Sequence, residues 1–333
     1  MKNVRIAVIG TNFISDWFCV AAREVDGVEV VAVYSRAQQT GDAFAKKHSV
    51  ARVYTSLDLM LSDPDINAVY VASPTLMHKE HSIKAMLAGK HVICEKMIAI
   101  NSQELSEMTA TARKMGVVLL EAMRPDFDGS RELIEEQLPR LGKIRRVHLN
   151  YCQYSSRYDR FKSGEVLNAF NPALKNSALA DIGIYPLHVC IALFGAPLSV
   201  SSSSVFLENG FEGAGTVLMS YPDMTATVSY SKIADHVTPS VIEGELGSLT
   251  VDKMTAPENV ILHLRGKSPE KLTFNARSDN MVFEIKAFCD MINGTADNSP
   301  YLDVSIKTLA VVDKVYAASG ITFPTDPTAD PAP

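Results

Sequence analysis

The sequence predicts an α/β fold in which a doubly wound parallel sheet is followed by a second domain of α+β type. Strand-like and helix-like segments alternate up to about residue 120. The strand-like segments are apolar along their whole length, as strands covered by helices on both faces are. After Arg124-Pro125 the alternation gives way to short strand-like runs separated by turn signals.

The first part of the chain contains repeated β-α-β units. The strand-like runs are Val4–Ile9, Val28–Tyr34, Ala68–Ala72, His91–Cys94 and Val117–Leu120. The helical patterns are Phe13–Glu24, Gln38–Lys47, His78–Leu87 and Gln103–Met115. Asn101 is placed to cap the last helix, and Glu104 to reach back to it. Because crossovers between parallel strands are right-handed, these units put helices on both faces of one sheet.

The second part of the chain has the signals of antiparallel strands. Strand-like runs fall within residues 143–154 and 198–274, with turn signals such as Glu208-Asn209-Gly210 between them. Amphipathic helices follow at Phe283–Ile292 and Val304–Ala318. We therefore expect one domain over residues 1–122, an α+β domain over 123–324 and a disordered tail over 325–333.

Composition and charge exclude several classes of protein. With 47% apolar and 21% charged residues in 333, the chain is of ordinary globular composition. A formal net charge of −6 argues against nucleic-acid and membrane-surface partners. Five cysteines without a C-x-x-C pair indicate reduced thiols and a cytoplasmic protein. We expect no signal peptide, no membrane span and, from the histidine spacing, no metal site.

The first strand ends in a turn typical of dinucleotide binding, Gly10-Thr11-Asn12-Phe13-Ile14. At such a corner the N–H groups of a helix N-terminus meet a pyrophosphate. Of the usual G-x-G-x-x-G pattern only the first glycine is present, although Asn12 tolerates a positive φ and Ser15 is small. The loop alone leaves two interpretations open, a cofactor loop or a plain strand-turn-helix corner.

Two further loops carry candidate cofactor contacts. Ser35-Arg36 ends the second strand, where an NAD-selective site generally has a carboxylate. A serine hydroxyl and a guanidinium suit a 2′-phosphate, so this pair favours NADP, with a solvated Arg36 as the alternative. Ser73-Pro74-Thr75 follows the next core strand, and Thr75 is placed to cap a helix. His78, one turn further, either supports that cap or touches the ligand.

Polar residues that interrupt two apolar segments of the sequence are the candidate catalytic and substrate-binding residues. Glu95-Lys96-Met97 ends another core strand, at the sheet edge where ligands bind, and a lysine there can hold a hydroxyl or move its proton. The apolar segment 178–188 carries Asp181, Tyr185 and His188 at spacings of four and three residues. These three side chains share one face if the segment is helical.

Together these motifs resemble the glucose-fructose oxidoreductase / inositol dehydrogenase / MocA (Gfo/Idh/MocA) family over essentially the whole chain. The turn at Gly10, Pro74-Thr75-x-x-His78, Glu95-Lys96 and Asp181-Ile182-Gly183-Ile184-Tyr185 occur in its order and spacing. The resemblance implies a Rossmann domain followed by an open-faced sheet domain that mediates homodimer or homotetramer contacts. It also implies an NAD(P)-dependent oxidoreductase acting on sugars, polyols and related alcohols.

The resemblance also implies roles for individual residues. Lys96 matches a lysine beside nicotinamide and substrate, Asp181 matches a substrate-binding aspartate, and Tyr185 matches the acid/base of the tyrosine-type, dihydrodiol dehydrogenase-like branch. A substrate hydride then leaves for nicotinamide while Tyr185 takes the hydroxyl proton. Because a free tyrosine has a pKa near 10, Lys96 is expected to favour the phenolate. His188 is expected as a further substrate contact and not as the base. Arg124, from its place after the last core strand, is expected either to contact substrate or to form a salt bridge at the domain boundary.

The sequence departs from the family at three places. Met97 replaces the proline of the Glu-Lys-Pro motif, Asn176-Ser177 replaces a glycine pair, and the first turn lacks two glycines. These departures leave a second function open, a non-catalytic member that binds a nucleotide or sugar as a sensor or partner subunit. Retention of Lys96, Asp181 and Tyr185 together favours the enzyme.

Overall fold

The chain folds into two compact units. The computed structural model describes residues 3–275 and 277–323. Of the described residues, one unit contains those up to Met123 together with Asp279–Ile306, and the other contains those of Arg124–Ser278 and those from Lys307 to Phe323. The expected second domain was continuous over 123–324, whereas residues 279–306 return to the first unit. The predicted tail over 325–333 lies outside the described residues.

The described residues form fourteen strands and ten α-helices. The strands are β1 Val4–Ile9, β2 Val28–Tyr34, β3 Arg52–Tyr54, β4 Ala68–Val71, β5 His91–Glu95, β6 Leu119–Ala122, β7 Ile144–Cys152, β8 Ser199–Phe206, β9 Glu212–Ser220, β10 Thr225–Ser231, β11 Ser240–Gly244, β12 Gly247–Val251, β13 Val260–Leu264 and β14 Glu270–Leu272. The helices are α1 Phe13–Ala22, α2 Gln38–His48, α3 Leu57–Ser62, α4 His78–Leu87, α5 Ser102–Met115, α6 Ser130–Gln137, α7 Tyr158–Lys162, α8 Ile184–Phe194, α9 Met281–Ile292 and α10 Ser299–Ser319.

The first unit is built on a parallel sheet with the strand order β3-β2-β1-β4-β5-β6. Its central strands are buried, because helices cover both faces of a doubly wound sheet. The predicted α/β class is confirmed, and β1 and β2 have the predicted bounds. β3 and α3 were not predicted, because they are too short to show a hydrophobic period. α3 begins after Ser56, whose side chain caps it.

The cap of α5 differs in one detail from the prediction. Asn101 Oδ1 accepts a hydrogen bond from the Glu104 N–H at 2.8 Å, as a helix cap does. The Glu104 carboxylate, however, accepts from the Ile100 N–H at 3.2 Å. The reciprocal bond therefore reaches one residue further back than we expected.

The second unit is built on an eight-stranded sheet with the order β14-β13-β12-β11-β7-β10-β9-β8. Its neighbours are antiparallel except for β7 and β10, which run parallel. Along β10, buried Ala226, Val228 and Tyr230 alternate with the more accessible Thr227 and Ser229. This alternation is that of a sheet with one covered face, which agrees with the predicted α+β second domain. None of the helices formed by the described residues is long and apolar enough to cross a membrane.

Candidate active site

The residues predicted to hold a cofactor lie in loops at one edge of the parallel sheet. These loops follow β1, β2, β4 and β5, so they share the carboxyl edge at which open α/β sheets bind ligands. The strand order reverses between β1 and β4, which places the crevice of such a sheet beside their ends. The loops after these two strands are therefore the core of the candidate nucleotide site.

Gly10 lies against the residue that follows β4. Its φ is +107°, and a Cβ built there would lie 2.7 Å from the Ala72 carbonyl oxygen. A side chain would meet rigid backbone in addition to the strained φ. Thr11, Phe13 and Ile14 continue from this glycine into α1, so the turn presents backbone rather than a Cβ at its tightest point.

Asn12 has a different role from the one predicted. Its φ is −86°, so it does not use the positive φ that we expected. Instead, Asn12 Oδ1 accepts hydrogen bonds from the N–H groups of Ile14 at 3.0 Å and Ser15 at 3.2 Å. Its amide nitrogen donates to the Ala72 carbonyl at 2.9 Å. Asn12 thus caps α1 and ties the loop after β1 to the end of β4, because an asparagine satisfies helix donors well.

The loop after β2 places Ser35 and Arg36 differently. Arg36 is exposed at the strand end. Ser35 is buried, and its hydroxyl lies 2.6 Å from that of Thr40, which in turn donates to the Ala37 carbonyl at 2.9 Å. The guanidinium is therefore accessible to an anionic ligand, while the serine hydroxyl already takes part in a hydrogen-bond chain within the loop.

The loop after β4 does not use Thr75 as a helix cap. Thr75–Met77 form a turn of 3-10 helix, and α4 begins one turn later with Met77 at its N-cap position and no side-chain cap. The extra turn moves the helix start away from the Thr75 hydroxyl. The prediction that Thr75 caps this helix is therefore wrong. Ser73, Pro74 and Thr75 all remain partly accessible at the sheet edge.

His78 is a buried link between two loops. Its ring nitrogens lie 2.7 Å from the Ser73 carbonyl oxygen and 2.9 Å from that of Met97. The side chain is 2% exposed, and burial lowers its pKa. One helical turn further, His81 Nδ1 lies 3.0 Å from the Ser73 hydroxyl. His78 therefore positions the loops that carry Ser73 and Lys96, and we do not retain it as a ligand contact.

The loop after β5 holds Lys96 on a rigid support. Glu95 is buried and accepts a hydrogen bond of 2.5 Å from the Tyr70 hydroxyl, so it faces the sheet. The Lys96–Met97 peptide bond is cis. The next N–H group, of Ile98, donates to the buried Glu121 carboxylate at 3.0 Å. Lys96 itself is partly exposed, so its ammonium is the accessible group of the Glu95-Lys96 pair.

In the second unit, Asp181 lies within a π-helical turn, Leu179–Gly183, that leads into α8. Turns of this kind are frequent at functional sites. The Ser177 hydroxyl accepts from the Ala180 N–H at 3.0 Å, and buried Glu212 accepts from the Leu179 N–H at 3.0 Å. The departure from glycine at Ser177 therefore supplies a cap for the turn.

Tyr185 lies in the first turn of α8, and the Arg124 guanidinium packs over the face of its ring. The Arg124 guanidinium carbon lies 5.8 Å from the centre of the Tyr185 ring, and the Tyr151 ring lies 6.0 Å away. Such a distance to a ring face is that of a cation–π contact. Arg124 is therefore in contact with the predicted acid/base residue, as a residue of the same cluster should be.

His188 is placed inside the second unit. It is 0% exposed, and its Nε2 lies 2.7 Å from the buried carboxylate of Asp126. Asp126 also lies 3.2 Å from the Arg131 guanidinium. The side chain shares the helix face of Tyr185, as predicted, but is enclosed by its own unit. We therefore do not retain it as a substrate contact.

One charged residue that the sequence analysis missed is Lys232. It follows β10 directly, is 3% exposed, and its ammonium lies 2.7 Å from Asp181 Oδ2. The only signal in the sequence is a lysine at the end of a strand, which is a common surface position. Among the residues that the structure describes, no group of three or more His, Cys, Asp or Glu side chains could hold a metal ion.

The residues at the sheet edge fit a dinucleotide. Gly10 lets the turn after β1 lie against the Ala72 backbone without a side chain, and the N-terminus of α1 that follows it favours negative charge, such as that of a pyrophosphate. Arg36, exposed after β2, would face the 2′ substituent of the adenosine ribose of such a cofactor. The loops with Ser73–Thr75 and Lys96 follow β4 and β5, and the nicotinamide end of such a cofactor would extend toward them.

Comparisons with known proteins agree with this arrangement. The family model described as "Oxidoreductase family, NAD-binding Rossmann fold" matches residues 4–123. The GFO/IDH/MocA C-terminal domain model matches residues 130–250.

The chain is similar to several characterised enzymes over its length. Scyllo-inositol 2-dehydrogenase (NADP(+)) IolU of Bacillus subtilis (strain 168) is 38% identical over 97% of this chain and 99% of its own. Trans-1,2-dihydrobenzene-1,2-diol dehydrogenase of Oryctolagus cuniculus is 28% identical over 90% and 92%. A solved 3-ketoreductase from Actinomadura kijaniata, in complex with NADP and TDP-benzene, has a TM-score of 0.86 at 21% identity, covering 96% of this chain and 98% of that one. That likeness concerns the fold.

Proposed function

Since this chain belongs to the Gfo/Idh/MocA family of NAD(P)-dependent oxidoreductases, we propose that it is an NADP-preferring dehydrogenase of cyclic polyols, sugars or related alcohols. The observation that carries the proposal is the 38% identity over 97% of the chain to an NADP(+)-dependent scyllo-inositol 2-dehydrogenase. The exposed Arg36 after β2 supports the preference for NADP, because a guanidinium suits a 2′-phosphate.

In the proposed reaction, the hydride is exchanged between substrate and cofactor, and the protein accepts the proton. NADP, when bound, supplies the nicotinamide ring that accepts or gives the hydride. Tyr185, which is 5% exposed and lies beside Arg124, takes the proton of the substrate hydroxyl. For Lys96 we propose the role that the family resemblance implies, an ammonium beside nicotinamide and substrate, and for Asp181 acceptance of a hydrogen bond from a substrate hydroxyl. Arg124 holds the Tyr185 ring.

Binding and turnover test this proposal separately. Fluorescence titration should give a dissociation constant for NADPH at least about tenfold below that for NADH, which the Arg36 contact is expected to supply. Initial rates are then measured with NADP⁺ and NAD⁺ on scyllo-inositol, myo-inositol, a set of aldoses and trans-1,2-dihydrobenzene-1,2-diol. Turnover of at least one of these is expected. Binding of NADPH without turnover of any of them would favour the non-catalytic alternative, and Michaelis constants far lower for NAD⁺ would contradict the NADP preference.

Two properties of the working enzyme belong to the same proposal. We infer a cytoplasmic location from the five cysteines, all of which are free thiols. We also infer a homodimer or homotetramer joined through the accessible face of the second sheet, where serines and threonines of β8, β9 and β10 face away from the covered side. Size-exclusion chromatography with light scattering measures this state directly, and a monomer at micromolar concentration would contradict it.

A further inference from the structure

Lys232 is a buried cation that the proposed chemistry does not use. Its side chain is 4% exposed, whereas that of its partner Asp181 is 33% exposed. The ammonium lies 2.7 Å from Asp181 Oδ2 and donates to the Ala169 carbonyl at 2.5 Å. Lys232 therefore lies behind the aspartate, on the side away from solvent, and does not reach a substrate itself.

Two aromatic rings also lie beside this ammonium. Its nitrogen lies 4.7 Å from the centre of the Phe170 ring and 5.1 Å from that of Phe211. Both rings are 0% exposed and belong to one apolar cluster with Phe161. A charge in such a place requires partners, and the carboxylate of Asp181 together with the Ala169 carbonyl provides them.

Fold stability alone does not account for a lysine at this position. A buried ion pair contributes little net stability compared with apolar side chains of similar volume, because both charges lose their hydration. What the pair does supply is direction, since a charge-assisted hydrogen bond fixes the carboxylate relative to a rigid strand end. The backbone of Lys232 is itself held, because its N–H donates to the Gly213 carbonyl at 2.9 Å.

The same strand fixes the other end of the turn. Tyr230 and Lys232 are two residues apart, so they point to the same face of the sheet. The Tyr230 ring packs against Gly183, while the Lys232 ammonium binds Asp181. One strand end thus sets both the position of the π-helical turn and the orientation of its carboxylate.

We propose that Lys232 is a positioning residue that orients the Asp181 carboxylate toward a substrate hydroxyl. This inference rests on the proposed function, because it assigns Lys232 a part in binding the same polyol. Its effect passes through Asp181, so the loss of Lys232 matters only while the carboxylate is present. Cofactor binding does not depend on it, since the predicted cofactor residues belong to the other unit.

A double-mutant cycle tests the proposal. The full-length protein is compared with K232M, D181N and K232M/D181N, using the polyol or sugar that the wild type oxidises with NADP⁺. We expect K232M to lower kcat/KM by about ten- to a hundredfold, which is the cost of misplacing a binding group by about 1 Å. D181N is expected to lower it at least as much, and the double variant to be no worse than D181N. The NADPH dissociation constant should stay within about twofold throughout.

K253M is the matched control. Lys253 belongs to the same unit and forms an ion pair of the same 2.7 Å length, with Glu258, but both side chains are exposed. We expect kcat/KM of K253M to stay within about twofold of wild type, since exposed pairs contribute little. If K232M does not fold, K232Q replaces it, because its amide can still donate to the carboxylate, and it should lose less activity than D181N.

The outcomes separate this inference from the proposed function. A K232M variant within twofold of an active wild type, or additive losses in the cycle, would overturn the positioning role and leave the dehydrogenase in place. A wild type that binds NADPH but oxidises no member of the panel would overturn the proposed function, and this inference with it. Non-additive losses at unchanged NADPH affinity support both.

Discussion

The aromatic ring of Tyr230 occupies the space where a side chain on Gly183 would lie. A Cβ built on Gly183 comes within 2.6 Å of Tyr230 Cγ. The hydroxyl end of the same ring is equally close to Gly215, where a Cβ would lie 2.4 Å from the Tyr230 oxygen. The glycine of the Asp-Ile-Gly motif is thus required by packing, in a turn whose φ of −65° would accept any residue.

Gly183→Ala is expected to destabilise the protein and to impair turnover. In an open helix the substitution gains up to about 1 kcal/mol, but the ring contact should reverse the sign and cost about 1–3 kcal/mol as overpacking does. Because the turn carries Asp181, kcat/KM should fall as well. Chemical denaturation and steady-state kinetics measure the two effects.

Gly213→Ala serves as the control for that substitution. A Cβ at Gly213 would meet the nearest atom, on the flexible side chain of Ile233, at 3.2 Å. The loss of stability should therefore be clearly smaller than for Gly183→Ala. Equal losses at the two glycines would contradict the steric explanation.

Gly10→Ala is expected to weaken NADPH binding by at least about tenfold. The new methyl group meets the Ala72 carbonyl at 2.7 Å, so the loops after β1 and β4 must separate. Gly27→Ala shares the positive φ, at +78°, but its Cβ finds only the Asn3 side chain at 3.9 Å. The control should therefore lose roughly 1 kcal/mol of stability, from backbone strain alone, with unchanged NADPH affinity. Fluorescence titration measures the NADPH affinity of both variants. Equal losses of affinity in the two would contradict a specific role of Gly10 in binding the cofactor.

Lys96→Met is expected to lower kcat by at least about two orders of magnitude, the range for positioned proton transfer. The NADPH dissociation constant should change by only a few-fold. Lys79→Met, which removes a surface lysine paired with Glu107 at 3.2 Å in the same unit, is the control and should be unaffected. Undiminished turnover of the Lys96 variant in single-turnover kinetics would remove this lysine from the mechanism.

Arg36→Ala is expected to raise the NADPH dissociation constant by about ten- to a hundredfold while leaving that of NADH within about twofold. A hydrogen bond to a charged group contributes about 1.5–3 kcal/mol. NADH has no 2′-phosphate, so it does not make this bond with Arg36 and its binding should not change. Arg113→Ala, at an exposed position of α5, should alter neither constant. An equal loss for both cofactors would show that Arg36 does not read the phosphate.

The protein is expected to lose stability as the pH falls from about 6.5 toward 4. Burial lowers the pKa of His81 to about 4, below the value near 6.5 of an unfolded histidine. As the pH falls, the unfolded chain therefore binds a proton at this histidine before the folded protein does. The free energy of unfolding, which is at its full value above pH 6.5, decreases by about 3 kcal/mol at most as the pH falls to 4. Burial of His78 acts in the same direction. Urea unfolding of His81→Asn across this range should show a shallower slope, and an unchanged slope would contradict the assignment.

The sequence was sufficient to predict the elements that have a clear hydrophobic pattern over several residues. Core strands such as Val4–Ile9 and Val28–Tyr34 are apolar along their whole length, so their bounds follow from composition. β3, by contrast, has three residues, all partly exposed, and no pattern of that length separates a strand from a turn. Its place at the sheet edge depends on pairing with β2, which is a property of the fold.

In the candidate site, too, some residues could be predicted from the sequence and others could not. Lys96, Asp181 and Tyr185 stood out because each is polar in an apolar segment. The residues that hold the segment around Asp181 and α8 did not stand out, because Lys232, Glu212 and Asp126 are far away in sequence from their partners Asp181, Leu179 and His188. Thr75 failed as a cap because one turn of 3-10 helix shifted the start of α4, a local choice that several sequences of this composition could make either way.

The return of Asp279–Ile306 to the first unit affects how the protein is made. Helix α9 packs on α1, yet the ribosome synthesises all of Arg124–Ser278 between them. At about 5–20 residues per second, the amino-terminal unit waits on the order of ten seconds or more for its last helix, while the intervening unit is already free to fold. A nascent chain that stops before Met281 therefore leaves the half made first incomplete.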